Sequence, residues 1–212
     1  MLKRLVLTCC LLAGAACAQT QTWYVGVGGG YGFAPKLTIG GLTPDAKTGF
    51  DNGGVLGAFF GEDSHQYWSG EVHYLHRWDN LSLSSGGTTV HFAGHSDILH
   101  ADFLRSFTPR GSKVRPFVAL GGGARFLDGT GTESSTQPLG NYAALTATKE
   151  TLAVIDAAFG VRAKLGKSAE IRFEVRDYMS PAPKQVIAVA PGATLSGWFN
   201  DIVASASIGF SF

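Results

Sequence analysis

The stretch from Trp23 to Phe33, WYVGVGGGYGF, alternates strictly between two kinds of residue. One alternate set is apolar or aromatic, and the other is almost entirely glycine after Tyr24. Successive side chains of a β-strand point to opposite faces, so the pattern predicts a strand with one apolar face and one face reduced to backbone. Glycine weakens a strand unless another group must approach closely on that side. We therefore expect a tight space beside the glycine face, formed by Gly26, Gly28, Gly30 and Gly32.

The first residues, MLKRLVLTCCLLAGAACAQT, have the order of a secretory signal peptide. Lys3 and Arg4 form the positive segment, a short apolar run follows, and Ala16-Cys17-Ala18 fits an A-x-A cleavage site. The apolar run is shorter than the roughly 20 residues of a membrane-spanning helix. We expect residues 1–18 to be a cleaved signal peptide and residues 19–212 to form the mature domain. Lipidation at Cys17 is the alternative.

The cysteine content and the charge exclude several classes of function. All three cysteines, Cys9, Cys10 and Cys17, lie in the predicted signal peptide, so the mature domain has no disulfide, thiol nucleophile or cysteine metal site. Removal of the signal peptide leaves 15 basic residues against 16 acidic ones. A nucleic-acid-binding domain would be strongly basic, and no nucleic-acid partner is expected. Export without cysteine, with abundant glycine and aromatic residues, is typical of a bacterial envelope protein.

Eight segments of the mature chain alternate with the period of a β-strand. Short turns and longer, mostly polar or proline-rich loops alternate between them. An even number of strands with short turns at one end and long loops at the other predicts an all-β, eight-stranded, antiparallel up-and-down transmembrane β-barrel. The segments are approximately residues 23–33, 53–61, 67–81, 90–107, 115–127, 149–163, 169–179 and 198–212, and the long loops are residues 34–52, 82–89, 128–148 and 180–197.

The alternation also predicts the contents of the lumen. Eight strands leave an interior just wide enough for side chains to fill it. Five acids and five bases should point inward, with His73 and His100 beside them, and a balanced set can pair within itself. We expect these residues to form a structural charge network that plugs the lumen, with Gly121 and Gly123 as a second thin patch of wall. The predicted members are Glu71, Arg77, Asp102, Arg125, Asp156, Arg162, Arg172, Glu174, Arg176 and Asp201.

The chain ends in SIGFSF, in which Ile208, Phe210 and Phe212 alternate. This ending resembles the C-terminal assembly signal of bacterial outer-membrane proteins, which the barrel-assembly machinery recognises. With the signal peptide and the strand count, the mature chain is similar to the small eight-stranded OmpA/OmpX-like outer-membrane barrels. The resemblance implies a monomer in the outer membrane, in contact with its lipid and lipopolysaccharide, without a cofactor. The peptidoglycan-binding domain of OmpA itself has no room here, so that activity is not implied.

One segment invites a catalytic or metal-binding interpretation. Residues 91–100, HFAGHSDILH, contain three histidines, a serine and an aspartate. Some outer-membrane barrels are enzymes that act on lipid A, and the deacylase type places its histidine and serine two positions apart. Here His95 and Ser96 are adjacent, so alternation sends them to opposite faces. We expect no catalytic residue and no metal site. The basic segments around Arg110, Arg115 and Lys164 are expected to be solvated turns.

Three functions are compatible with these predictions. The favoured one is an integral outer-membrane barrel with a plugged lumen and a structural, adhesive or surface-interaction role through its outer loops. The first alternative is a narrow channel or small-ligand transporter. The second is a membrane-embedded lipid A-modifying enzyme. The sequence does not identify a partner for the loops.

Overall fold

The computed structural model describes residues 22–78 and 80–212. The predicted signal peptide, residues 1–18, and Asp79 of the predicted third strand lie outside the described residues. Among the residues described, no helix is long and apolar enough to cross a membrane. The same residues form fifteen β-strands: β1 (Thr22–Phe33), β2 (Leu37–Gly40), β3 (Ala46–Phe50), β4 (Gly53–Asp63), β5 (Trp68–Trp78), β6 (Leu81–Ser85), β7 (Thr88–Phe92), β8 (Gly94–Ser106), β9 (Val114–Gly129), β10 (Ala143–Leu145), β11 (Lys149–Lys164), β12 (Ala169–Pro181), β13 (Ile187–Val189), β14 (Thr194–Leu195) and β15 (Trp198–Ser211).

Eight long strands close into an antiparallel barrel in the order β1-β15-β12-β11-β9-β8-β5-β4. The first and last strands pair with each other, with Val25 opposite Phe210, so the barrel has no free edge. The predicted all-β, eight-stranded antiparallel barrel is therefore confirmed. The predicted fourth strand, residues 90–107, is wrong in one respect, because Ala93 separates β7 from β8. Phe92, the residue before this break, is buried against apolar residues of the long loops.

The outer face of the barrel is apolar and aromatic. Trp23 stacks on Phe60 with ring centroids 5.2 Å apart, and Trp68 stacks on Phe103 at 4.7 Å, both pairs on β-strands that start or end at the short turns. A further set of aromatic side chains, Trp78, Phe126 and Trp198, is exposed towards the long loops. Exposed apolar side chains cover the outer face between these two ends, for example Val72 and Leu120. A barrel with this exterior is suited to hydrocarbon rather than to water.

The glycine face of β1 is the thinnest part of the barrel wall. A Cβ atom at Gly26 would collide with the ring of Phe59, and one at Gly32 would collide with the guanidinium of Arg77. The second predicted patch behaves in the same way, since a Cβ at Gly121 would collide with the Asp102 carboxylate. The glycines therefore stand where bulky inward side chains of other strands reach the opposite backbone, as the alternation predicts.

The long loops fold into two small sheets, one of five strands in the order β14-β2-β3-β6-β7 and one made of β10 and β13. All four loops contribute to a shared hydrophobic core. We call this assembly the cap, comprising residues 34–52, 80–93, 130–148 and 182–197. The expectation of polar loops is wrong at this point, because three or four buried apolar residues in each loop suffice for a core once the four loops meet. The buried core members are Ala34, Ile39, Ala46, Phe50, Leu81, Leu83, Phe92, Leu127, Tyr142, Ala143, Leu145, Ala182, Val186, Ile187, Leu195 and Phe199.

The hairpin of β6 and β7 lies at one edge of the five-stranded sheet. Its turn contains Gly86 and Gly87, which have φ values of 55° and 82°. Two consecutive residues with positive φ are the requirement of a tight two-residue β-hairpin, and glycine meets it without steric cost. The turn projects freely, because a Cβ at either glycine would have no heavy atom within 4 Å.

Candidate functional site: the charged lumen

Charged side chains line the inner face of the barrel along most of its height. Seven barrel strands contribute at least one, while β1 contributes none. The structure places all ten residues of the predicted network on this face; nine are at most 6% exposed, and the side chain of Glu174 is 9% exposed. They form three clusters with their neighbours: a loop-end cluster (Arg77, Arg125, Asp201), a middle cluster (Glu71, His73, His100, Asp102, Asp156, Arg172, Glu174, Arg176) and a turn-end cluster (Asp63, Ser69, Arg115, Arg162, Glu170).

The middle cluster is organised around Glu71 of β5. Its carboxylate accepts hydrogen bonds from Nη1 of Arg172 at 2.9 and 2.8 Å and from the hydroxyl of Tyr24 at 2.6 Å. The guanidinium of Arg172 also lies 4.5 Å above the ring of Phe117. These contacts cross the full width of the lumen, because β5 and β12 are not neighbours in the barrel. A buried carboxylate with several donors is a well-satisfied charge.

The same cluster continues through Arg176 of β12. Nε of Arg176 donates a hydrogen bond to Glu174 at 2.8 Å, and its Nη1 contacts both Asp102 and Asp156. Glu174 also pairs with Arg172, so the two guanidiniums share one carboxylate. The result is a continuous chain of charge pairs from β5 to β12 and on to β8 and β11.

The loop-end cluster joins the lumen to the cap. Asp201 pairs with Arg77 and accepts a hydrogen bond from Arg125 at 3.2 Å. Arg77 also donates to the backbone carbonyl of Asp51 at 2.9 Å, at the base of the cap. The guanidinium of Arg125 lies 5.1 Å above the ring of Phe199, which belongs to the cap core. The charged lumen and the apolar cap are therefore in direct contact.

The turn-end cluster was only partly predicted. Arg115 is not in a solvated turn, as we expected, but is 3% exposed and donates to Asp63 at 2.6 Å. Asp63 also accepts from Ser69 at 2.6 Å, and Arg162 lies 3.6 Å from it. Asp63 was missed because β4 extends two residues beyond the predicted limit at Gly61, whereas Arg115 was assigned to a turn although it is the first residue of the predicted fifth strand. Continuing the period-two alternation from Gly61 to Asp63 would have found this pair.

Little space remains between the side chains of the middle cluster. A lumen cavity of about 50 Å³ lies beside the thin wall and is lined by polar side chains that include His73, Arg172, Glu174 and Tyr178. A volume of this size holds a few water molecules.

The segment 91–100 does not assemble into a catalytic group. His95 and Asp97 lie on the outer face of β8, where Asp97 accepts a hydrogen bond from the hydroxyl of Tyr74 at 2.6 Å. Ser96 is buried, 1% exposed, on the opposite face of the strand. His91 belongs to the cap, where its Nδ1 lies 2.7 Å from a carboxylate oxygen of Asp51.

Asp51 has a distinctive environment within the cap. Burial alone would raise the pKa of its carboxyl group, but hydrogen bonds from Lys36 at 2.9 Å and from His91 outweigh that effect and lower the pKa below its ordinary value. The carboxylate thus ties β7 to the start of β2 through His91 and Lys36. A second carboxylate, Glu150, accepts backbone N–H groups of residues 184–186 at 2.8–3.2 Å and fixes the fourth long loop.

The three residues of the C-terminal pattern lie at the closure of the barrel. Ile208 and Phe210 are exposed on the outer face of β15, at 40% and 50%. Phe212 follows the strand, and its backbone N–H donates to the carbonyl of Trp23 at 2.9 Å. The exposed side chains of Ile208, Phe210 and Phe212 therefore form an apolar strip at the end of the chain.

The chain is similar to known proteins in its fold alone. No protein-family model matches the chain, and no curated protein matches it. Among solved structures, Neisserial surface protein A has a TM-score of 0.54 at 11% identity, covering 90% of this chain and 97% of that one. The outer membrane protein OprG from Pseudomonas aeruginosa has a TM-score of 0.54 at 12% identity, with coverage of 89% and 95%. The chain thus has the architecture of the small eight-stranded bacterial outer-membrane barrels.

Proposed function

We propose that the chain is an integral protein of the bacterial outer membrane with a lumen closed to solutes, and that it acts through the outward surface of its cap. The observation that carries this proposal is the combination of charge pairs across the lumen with a cap that has its own hydrophobic core. The role is structural, adhesive or another form of surface interaction. Its environment is outer-membrane lipid and lipopolysaccharide, and the barrel acts as a monomer.

The exterior supports insertion into a bilayer. In hydrocarbon every backbone polar group needs a partner within the protein, and a closed barrel meets that condition. The exposed outer side chains, such as Leu120 and Phe159, would be a liability in water at 68% and 63% exposure. We further propose that the signal peptide directs export and that Ile208, Phe210 and Phe212 are recognised by the barrel-assembly machinery.

The interior supports a closed lumen. A solute would have to separate Arg172 from Glu71 and Arg176 from its carboxylates. Breaking a buried charge pair costs about 3–5 kcal/mol, so several such steps would make passage rare. The cap adds a second obstruction, because Phe199 packs on Phe50 directly above the loop-end cluster.

The cap supports a function at the cell surface. A barrel that served only as an anchor would need nothing more than short loops at both ends. Here the four long loops share one core, so their outward residues are held in fixed positions before any partner arrives. Such preorganisation reduces the entropy lost on binding.

Single-channel recording tests the closed lumen. The mature protein, refolded in detergent and inserted into a planar bilayer, should show no steady conductance. The double variant Glu71→Ala/Arg172→Ala removes the central pair and serves as a control for insertion, because it should leak. Steady, large conductance of the unmodified protein would contradict the proposal and favour the narrow-channel alternative.

Attachment of bacteria to host cells tests the surface role. Ile187 is fully buried in the cap core, whereas Val189 on the same short strand is 38% exposed. Ile187→Asp should disrupt the cap and abolish attachment at an unchanged surface level, while Val189→Asp should preserve the cap. Equal attachment by a strain that lacks the protein would contradict an adhesive role.

A further inference from the structure

The mouth of the barrel at the short turns contains another cavity, at the opposite end from the cap. It has a volume of about 290 Å³ and lies between the β8–β9 turn, the β11–β12 turn and the ends of β4 and β12. At about 30 Å³ per water molecule, it has room for a phosphate group together with hydrating water. The charged side chains that line it are Asp63, Arg110, Arg115, Lys164, Lys167 and Glu170.

We propose that this cavity, which we call the mouth site, binds a phosphate group through Arg110, Lys164 and Lys167. Guanidinium and ammonium groups are the donors that bind phosphate in proteins. These three residues belong to the β8–β9 turn, the last position of β11 and the β11–β12 turn. An anion with several oxygens can therefore accept from more than one of them.

Backbone contacts bring the two turns together over the lumen. Nη1 of Arg110 donates to the backbone carbonyl of Asp63 at 3.1 Å, although β4 is a neighbour of neither β8 nor β9. The backbone N–H of Lys164 donates to the carbonyl of Lys113 at 2.8 Å, which holds the end of β11 beside the β8–β9 turn. The sequence analysis expected solvated turns here, because Arg110 and Lys164 are 54 positions apart and meet only in the closed barrel.

Arg115 places a buried positive charge at the wall of the mouth site. Its side chain is only 4% exposed. Nη1 donates to Asp63 at 2.6 Å, whereas Nε and Nη2 donate no hydrogen bond within the described residues. Solvation of surface lysines does not require a buried guanidinium beside them. A phosphate group in the cavity would offset part of this charge, which is costly to bury without compensation.

The mouth site carries an excess of positive charge. Four cationic side chains and two carboxylates line it. Arg162 lies 3.6 Å from Asp63 and 3.9 Å from Glu170, so the excess at this end of the lumen is three charges. The middle and loop-end clusters contain five carboxylates and four guanidiniums, and with neutral histidines they offset only one of the three. A cleft with an excess of one sign attracts ions of the other sign.

The surroundings of the mouth site favour a phospholipid as the source of the phosphate. Leu165, next to Lys164 and two positions before Lys167, is 61% exposed. Trp23 and Phe60 stack on the outer face at the same end of the barrel, as aromatic residues do at a membrane–water interface. A phospholipid would place its phosphate against the lysines and an acyl chain against Leu165. This choice of source rests on the proposed insertion into a membrane, whereas binding of free phosphate does not.

Isothermal titration calorimetry tests the site on the mature protein, refolded in an uncharged, phosphate-free detergent at low salt. The probes are inorganic phosphate and dihexanoyl phosphatidylglycerol below its critical micelle concentration. We expect one phosphate group per barrel with a Kd below about 1 mM. Lys164→Gln/Lys167→Gln should weaken binding at least about 10-fold, because two charged donors are lost. The matched control is Lys47→Gln/Lys184→Gln, which removes the same charge from exposed positions of the cap and should bind normally.

The two probes distinguish the sources of the phosphate. Binding of both, or of the lipid alone, supports the proposal, while binding of inorganic phosphate alone keeps the site and overturns the phospholipid source. Absence of binding by either probe, or equal affinity of the two double variants, would overturn the site itself. Gel mobility before and after boiling verifies that each variant is folded. Conductance and attachment, which test the proposed function, do not enter this measurement, so the two can fail separately.

Discussion

Replacement of Glu71 by alanine should destabilise the barrel more than any substitution on its surface. Glu71 is 3% exposed, and its carboxylate accepts from Arg172 at 2.9 and 2.8 Å and from Tyr24 at 2.6 Å. It also lies 2.7 Å from Nε2 of His73. Glu71→Ala removes one carboxylate from all three partners, and water has almost no access to take its place.

The expected loss follows from these contacts. Removing one member of a buried charge pair costs about 3–5 kcal/mol, mainly because the remaining charge is left buried. The lower end applies here, since Arg172 keeps its contact with Glu174. With a urea dependence of about 1–3 kcal/mol per M, a loss of about 3 kcal/mol lowers the unfolding midpoint by about 1–3 M.

The assay is urea unfolding of the barrel refolded into lipid vesicles, followed by tryptophan fluorescence in both directions. Glu133→Ala is the matched control, because Glu133 is an exposed cap residue with one hydrogen bond, from the backbone N–H of Ala147. We expect the control to change the free energy of unfolding by less than about 0.5 kcal/mol. If Glu71→Ala and Glu133→Ala have equally small effects, the argument that charge pairs hold the lumen closed is wrong.

An impermeant thiol reagent applied to intact cells should label Glu133→Cys, in the cap, and should not label Lys113→Cys, in a short turn; the reverse pattern would invert the proposed topology. Phe212→Ser should lower the amount of protein assembled in the outer membrane while leaving detergent refolding intact, and normal membrane levels would contradict the assembly-signal assignment. Asp51→Asn should lower the stability of the cap at pH 7, measured by its urea midpoint. Because the pKa of Asp51 is lowered in the folded state, its contribution is present above the ordinary carboxyl pKa of about 4 and is lost as the pH falls through the folded value, so wild type and variant should converge only below the folded-state pKa of Asp51.

The inward direction of residues such as Glu174 and Arg176 could be predicted because the side-chain period of a strand is two. Once one side chain of a strand is correctly assigned as inward or outward, the directions of all the other side chains of that strand follow. The ends of strands carry no such constraint, and for that reason Asp63 was missed and Arg115, the first residue of its predicted strand, was assigned to a turn. The strand of Asp63 continues for two residues beyond the predicted limit, and that extension brings Asp63 to Arg115 in the turn-end cluster.

The cap could not be predicted in the same way. Phe50 and Phe199 meet with ring centroids 5.0 Å apart although they are 149 positions apart in the sequence, and no local pattern in the first long loop or in β15 indicates the contact. Each loop has too few apolar residues to form a core by itself. The pairing of His73 with His100 is equally invisible in the local sequence, because it depends on the register between β5 and β8.

The turn of the β6–β7 hairpin makes this protein a candidate carrier for displaying foreign peptides on bacteria. A peptide inserted between Gly86 and Gly87 would leave from a site where nothing lies within 4 Å of an added side chain, and both of its ends would be held by a paired hairpin. An insertion beside Ile187 would instead divide a core that four loops share. Epitope tolerance should therefore differ sharply among the outer segments, with the Gly86–Gly87 turn accepting lengths that a site beside Ile187 rejects.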